Sequence, residues 1–184
     1  MNKTLGSALF AMASLAMSQA PLHGAIGATA TISSQQLSAN SYQYSLTLTN
    51  TGDTQISTFW FGWIPAYDLL PSAPTAFTAP AGWAGVNAPD VFGVASAQWK
   101  TTTSPLGAGQ SLSGFTFTSP DSPAALAGTS YFGLPVQESY VYIGAPETDP
   151  GAALVPSVVA APEPGSLTAL VGAPLALLTR RRRR

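Results

Sequence analysis

The chain has no cysteine, so a disulfide framework and thiolate chemistry are both excluded. It has one histidine, His23, which falls in a leader-like segment. A body without His or Cys cannot build a Ser-His-Asp or Cys-His catalytic site, nor a conventional zinc site. Charge is scarce at 8%. No apolar run reaches the roughly 18 to 20 residues that a membrane span needs. No glycine-rich loop ends in Lys-Ser or Lys-Thr, and no G-x-G-x-x-G opens a helix after a strand. The net charge of −1 conceals a strong asymmetry. Five of the seven bases are Arg180 to Arg184, and a sixth is Lys3. Between Thr31 and Pro156 a single base, Lys100, stands against seven acids, a balance of −6. That sign is wrong for gripping a phosphate backbone, so nucleic acid is not an expected partner.

What remains is apolar material, 46% of the chain, together with 17 Gly and 16 Pro, enough for one packed domain. Residues 1–30 have the three parts of a secretory signal peptide. Lys3 supplies the positive start, Leu5 to Met17 an uncharged apolar stretch, and small residues follow. Candidate cuts lie after Ala20, Gly27 or Ala30; Ala28-Thr29-Ala30 is the cleanest A-x-A match, and a cut after Ala20 would leave Pro21 in an unfavourable place. A buried helix or a short anchor is the competing interpretation. Thirteen residues span about 20 Å of helix, short of the roughly 30 Å hydrocarbon core.

The body, residues 31–156, is predicted to be mainly β. In SYQYSLTLTN, Tyr42, Tyr44, Leu46 and Leu48 alternate with polar residues at the period of a half-buried strand, and Asn50-Thr51-Gly52-Asp53 ends it. Ile56 to Ile64 is a dense aromatic run that suits a strand covered on both faces. Further strands are predicted at Ala30–Gln35, Ala95–Thr101, Leu112–Thr118, Tyr131–Pro135 and Tyr140–Ile143. The stretch from Ala66 to Val91, rich in proline, is expected to be a long surface excursion with one short strand around Trp83. Short strands between Gly, Pro, Ser and Thr clusters predict a single antiparallel β-sandwich, immunoglobulin-like or jelly-roll-like. Trp60, Trp63 and Trp99 are expected in its core. Trp83 and Tyr67 are candidate ligand-facing aromatics, of use to a carbohydrate-binding module if both lie on one exposed surface. Glu147-Thr148-Asp149 offers oxygen ligands but lacks the further carboxylates usual for calcium. No catalytic residue, metal ligand or cofactor site is predicted. Carboxylate-only hydrolysis would need two acids facing each other across a cleft.

After a short linker, 157–161, residues 162–184 carry three features in order. Pro162-Glu163-Pro164 comes first, then an apolar stretch from Gly165 to Thr179, then Arg180, Arg181, Arg182, Arg183 and Arg184. An apolar segment followed at once by cations is a stop-transfer arrangement, because Lys and Arg favour the cytoplasmic side. The stretch is short and holds Pro174, which suits a transient tether better than a permanent anchor.

The segment APEPGSLTALVGAPLALLTRRRRR resembles the PEP-CTERM sorting signal of exopolysaccharide-producing bacteria. The resemblance implies export by the general secretion machinery, transient membrane insertion and recognition of Pro162, Glu163 and Pro164 by an exosortase, a membrane-embedded peptidase. It implies removal of the tail and delivery of the body to the cell surface or extracellular matrix. The body's YQYSLTLTNTGD and LSGFTF segments are similar to domains that often precede this tag, a likeness that implies no activity. The expected protein is therefore non-enzymatic, with a structural or adhesive role in an exopolysaccharide matrix. The alternatives are a carbohydrate-binding module and a surface protein anchored through its C-terminal helix.

Overall fold

The computed structural model describes residues 24–89 and 94–159. The helices expected at the two ends fall outside these residues, and the described fold is mainly β with antiparallel sheets. Two long strands, β1 (Ala28–Ser38) and β2 (Ser41–Asn50), form a hairpin. The chain continues through β3 (Thr58–Phe61), β4 (Trp63–Ile64), β5 (Tyr67–Asp68), β6 (Thr75–Thr78), β7 (Ala84–Pro89), β8 (Ala95–Lys100) and β9 (Ser111–Ser119). A one-turn helix, α1 (Pro123–Leu126), precedes β10 (Ser139–Tyr142), β11 (Gly151–Leu154) and β12 (Ser157–Val158). One sheet has the order β12-β1-β2-β9-β6 and the other β11-β10-β3-β8-β7; β4 and β5 form a small separate hairpin. Every pairing is antiparallel except β1 with β12.

Period-2 alternation decides which side chains enter the core. Tyr44, Leu46 and Leu48 of β2 face inward, as do Phe115 and Phe117 of β9. From the opposite sheet come Phe59 and Phe61 of β3, Ala95, Ala97 and Trp99 of β8, and Val141 of β10. Trp99 occupies the middle. Its ring stacks on Phe59 at 5.5 Å and meets Phe115 of the other sheet at 5.6 Å and 67°. Its Nε1 donates to the Thr78 carbonyl at 2.9 Å, so the buried indole keeps a partner. Gly85 opposite must stay bare, because a Cβ there would lie 2.6 Å from Trp99 Nε1.

Three expectations are corrected. The proline-rich stretch holds more than the one short strand expected near Trp83, which is β7: β6 also lies within it, and the two close one edge of each sheet. Edge strands tolerate proline because an edge leaves backbone N–H groups unpaired in any case. The segment 131–135 is a turn rather than a strand, held by Gly133 N–H to Ser130 O (3.0 Å) and Ser130 N–H to Leu134 O (2.7 Å). Finally, the strands extend past both boundaries set at 31 and 156. The carbonyl of Gly27 accepts from the Thr51 and Gly52 N–H groups, that of Ala25 accepts from Asp53 N–H, and Ala30 is in the core.

Tyr44 is buried and donates its hydroxyl to the Asp121 carbonyl at 2.6 Å. Burial first, then the Asp121 charge, push its ionisation well above the ordinary value of 10.0, and burial raises that of Tyr142 as well. The unfolded chain ionises these groups near pH 10 while the folded chain still holds its protons. Stability from this source is therefore complete below about pH 10 and falls as pH rises beyond it. Thermal melts across the alkaline range should show that decline, with tyrosinate absorbance rising together with unfolding. Full tyrosinate absorbance in a still-folded protein would contradict it.

Candidate functional site

The same alternation that sends Phe59 and Phe61 inward sends Trp60 outward, and Val141 inward sends Tyr140 and Tyr142 outward. Tyr140 is directly opposite Trp60 in the ladder. Gly62 then turns the chain with φ 66°, over a Leu70 side chain too close to admit a Cβ. This turn folds Trp63 back onto Trp60, with ring centroids 4.0 Å apart and planes inclined by only 2°. Trp63 also meets Tyr140 edge-on at 5.9 Å and Tyr142 at 6.0 Å, and the two tyrosines are 5.0 Å apart. Trp60 Nε1 donates to Ser96 Oγ at 2.6 Å. Four aromatic rings thus cluster on the outer face of the second sheet. Trp60 and Trp63 were expected in the core with Trp99; Trp60 is only half-buried, and Trp63, although 3% exposed, packs in this outer cluster.

Two connections close over the cluster. One is the β4–β5 turn, Pro65-Ala66, in which Ala66 has φ 76°. The other is the loop 143–150 between β10 and β11. Asp149 Oδ2 accepts from Ala145 N–H at 2.5 Å, and Thr58 Oγ1 donates to Gly144 O at 2.8 Å. Glu147 adopts φ 64°. Between turn and loop is a pocket of about 470 Å³ lined by Pro65, Ala66, Tyr140, Tyr142, Glu147, Asp149 and Gly151. A non-glycine residue held at positive φ costs roughly 1–3 kcal/mol, and such strain gathers at functional positions. Of the three in the described residues, Ala66 and Glu147 both line this pocket.

The two aromatics chosen from the sequence do not share a surface. Trp83 is 8% exposed and belongs to the core, edge-on to Phe115 at 5.3 Å, with Nε1 donating to Ser104 O at 2.9 Å. Tyr67 is 42% exposed and packs on Phe132, which in turn meets Tyr131, 81% exposed at the turn tip. The proposed sorting residues Pro162, Glu163, Pro164 and Arg180 to Arg184 lie outside the described residues. Among the described residues no group of three His, Cys, Asp or Glu side chains is placed to hold a metal ion. Asp121 is engaged within the fold, accepting from Ser72 N–H, Ser72 Oγ and Ser119 Oγ. Glu147 and Asp149 share one wall of the pocket, on the same loop, rather than facing each other across it. The arrangement supplies an aromatic floor with acidic hydrogen-bond acceptors above it.

No family model and no curated protein sequence matches the chain. Among solved structures, it is similar to a GH20 exo β-N-acetylglucosaminidase from Vibrio harveyi in complex with N-acetylglucosamine, with 12% identity and a TM-score of 0.45. The match covers 73% of this chain and 19% of that one, so the chain spans about a fifth of the enzyme's length. An inactive mutant of the same enzyme gives the same values. It is also similar to a CBM3 of Hungateiclostridium clariflavum, with 9% identity and a TM-score of 0.34, covering 59% of this chain and 80% of that one.

Proposed function

We propose that the chain is an exported, exosortase-processed protein of the cell surface or extracellular matrix, whose β domain is a non-catalytic cargo. The body is an antiparallel β-sandwich of immunoglobulin-like or jelly-roll-like kind, and its role is structural or adhesive in an exopolysaccharide matrix. The observation that carries this is the order Pro162-Glu163-Pro164, apolar stretch, five arginines, behind a body with its own core. Among the described residues, the buried core side chains lie between Ala30 and Leu154. Cutting near Pro162 therefore leaves the core untouched. The last described residues run along the surface, with Val155, Val158 and Val159 exposed and Val159 N–H donating to Ile32 O at 2.8 Å. Among the described residues no helix is long and apolar enough to cross a membrane.

Intact-mass measurement of the extracellular protein tests both ends at once. The expected C-terminus lies near Pro162–Gly165, and recovery of chain ending at Arg184 from the medium would overturn the processing. The expected N-terminus lies between Pro21 and Thr31, left by removal of the leader. A cut after Gly27 would remove the carbonyls of Ala25 and Gly27 that hold the 51–53 turn. A cut after Ala30 would also strip Ala30 from the core and three residues from the β1–β2 ladder. Exported protein retaining Met1 would refute the signal peptide.

A further inference from the structure

We infer that the pocket between the Pro65–Ala66 turn and the 143–150 loop is a saccharide site that takes a pyranose unit without acidic substituents. This deepens the adhesive role proposed above and rests on it. The chemistry of the lining selects the ligand. The floor presents the half-buried ring of Tyr140, backed by the buried ring of Tyr142 5.0 Å away. Such a floor calls for a flat apolar face. The charged side chains of the lining are both acids, Glu147 and Asp149, and carboxylates accept hydrogen bonds without donating. The ligand must therefore bring donors around an apolar face. A pyranose does this, with C–H groups on its face and hydroxyls at its rim.

The same lining rejects the competing classes. A phosphate or a uronate would set its negative charge against Glu147 and Asp149 without a cation among the lining residues to offset it. Lys100, the one base of the body, is level with Tyr142 but two strands away, on β8 beyond β3. An alkyl chain would make no hydrogen bond to either carboxylate, of which Asp149 already accepts from the Ala145 N–H. The volume, about 470 Å³, lies within the range of small-ligand sites. Part of the polar wall is preset: the Asp149 carboxylate is tied to the Ala145 N–H, which reduces the ordering that binding requires.

The test is affinity electrophoresis of the full chain in a zwitterionic detergent without sugar headgroups. The gels contain neutral polysaccharides (β-glucan, galactomannan, xylan, dextran) or acidic ones (alginate, polygalacturonate). At least one neutral polymer should retard the protein and neither acidic one should. Tyr140→Ala should weaken that retardation by about tenfold or more. Glu147→Gln, on an exposed loop and harmless to the core, should weaken it several-fold. Tyr131→Ala, in the separate Tyr67–Phe132–Tyr131 row, should leave it unchanged. Retardation by none of the neutral polymers, by the acidic ones alone, or unaltered by both Tyr140→Ala and Glu147→Gln would each overturn the site. Loss through Tyr131→Ala instead would place binding elsewhere and overturn it equally. The assay is independent of tail cutting, so failure here with normal termini leaves the sorting proposal standing, and the reverse holds too.

Discussion

Trp99→Ala is expected to lower the unfolding free energy by about 3–5 kcal/mol, the usual cost of truncating a fully buried aromatic residue. Domains of this kind hold only about 5–15 kcal/mol in all, so the variant should be partly unfolded or close to it. The size follows from the position of the ring. Trp99 is 0% exposed and touches Phe59 within its own sheet, and Phe77, Phe115 and Phe117 of the other sheet. Removing it opens a cavity that spans the interface and leaves the Thr78 carbonyl without its indole donor. Of the flanking strands, β3 is fixed by ladders on both sides and β7, at the sheet edge, by its ladder to β8. Trp60→Ala makes the informative comparison. Trp60 sits on the outer face, half-buried, so its loss should cost clearly less than that of Trp99. Denaturant unfolding followed by circular dichroism compares the two directly. Equal costs, or a Trp99 cost under about 1 kcal/mol, would show that the assignment of inner and outer faces is wrong.

That assignment marks the limit of what the sequence discloses. The strands β2, β8, β9 and β10 were legible because each carries a clear alternation or a short aromatic and β-branched run between turn residues. The dense Ile56–Ile64 run does contain a strand covered on both faces, β3. It also hides a break, since Gly62 at φ 66° separates β3 from β4. Hydrophobicity alone does not say which tryptophan faces inward when both faces of a strand are covered. The alternation did hold a usable signal: with Phe59 and Phe61 inside, Trp60 must be outside. Trp83 gave no such signal. A turn with Gly82 at φ 82° lowers it onto Phe115, and its neighbours Pro80, Ala81 and Gly82 read as loop. β11 and β12 are short runs of small residues, and only pairing with β10 and β1 makes them strands. The pocket was illegible for a related reason. Its walls, Ala66 and Glu147, are far apart in the chain and meet only because β10 pairs with β3. The reading of the tail rests on the linear order of its residues alone, which lie outside the described residues.

The largest effect on the protein's fate should come from that tail. Replacing all five arginines, Arg180 to Arg184, with Ser should abolish normal cutting of an otherwise exported chain. A cluster of Lys or Arg resists crossing the membrane, each residue costing about 2.5–3.5 kcal/mol at the centre of a spanning helix. The apolar stretch before it is short and contains Pro174, so by itself it should hold only marginally. The arginines should then be what halts passage and keeps Pro162-Glu163-Pro164 at the outer face of the membrane. Without them the tail should slip through, giving a secreted chain that retains its apolar end. Glu163→Ala separates stopping from recognition: it leaves the apolar stretch and the arginines in place, so tethering should persist while cutting is lost. Fractionation and intact mass read both variants, with the five-Ser chain uncut in the medium and the Glu163→Ala chain uncut in the membrane. If the five-Ser chain were cut at the normal site and rate, halting by charge would play no part. The Pro-Glu-Pro motif and the apolar stretch would then have to suffice for sorting.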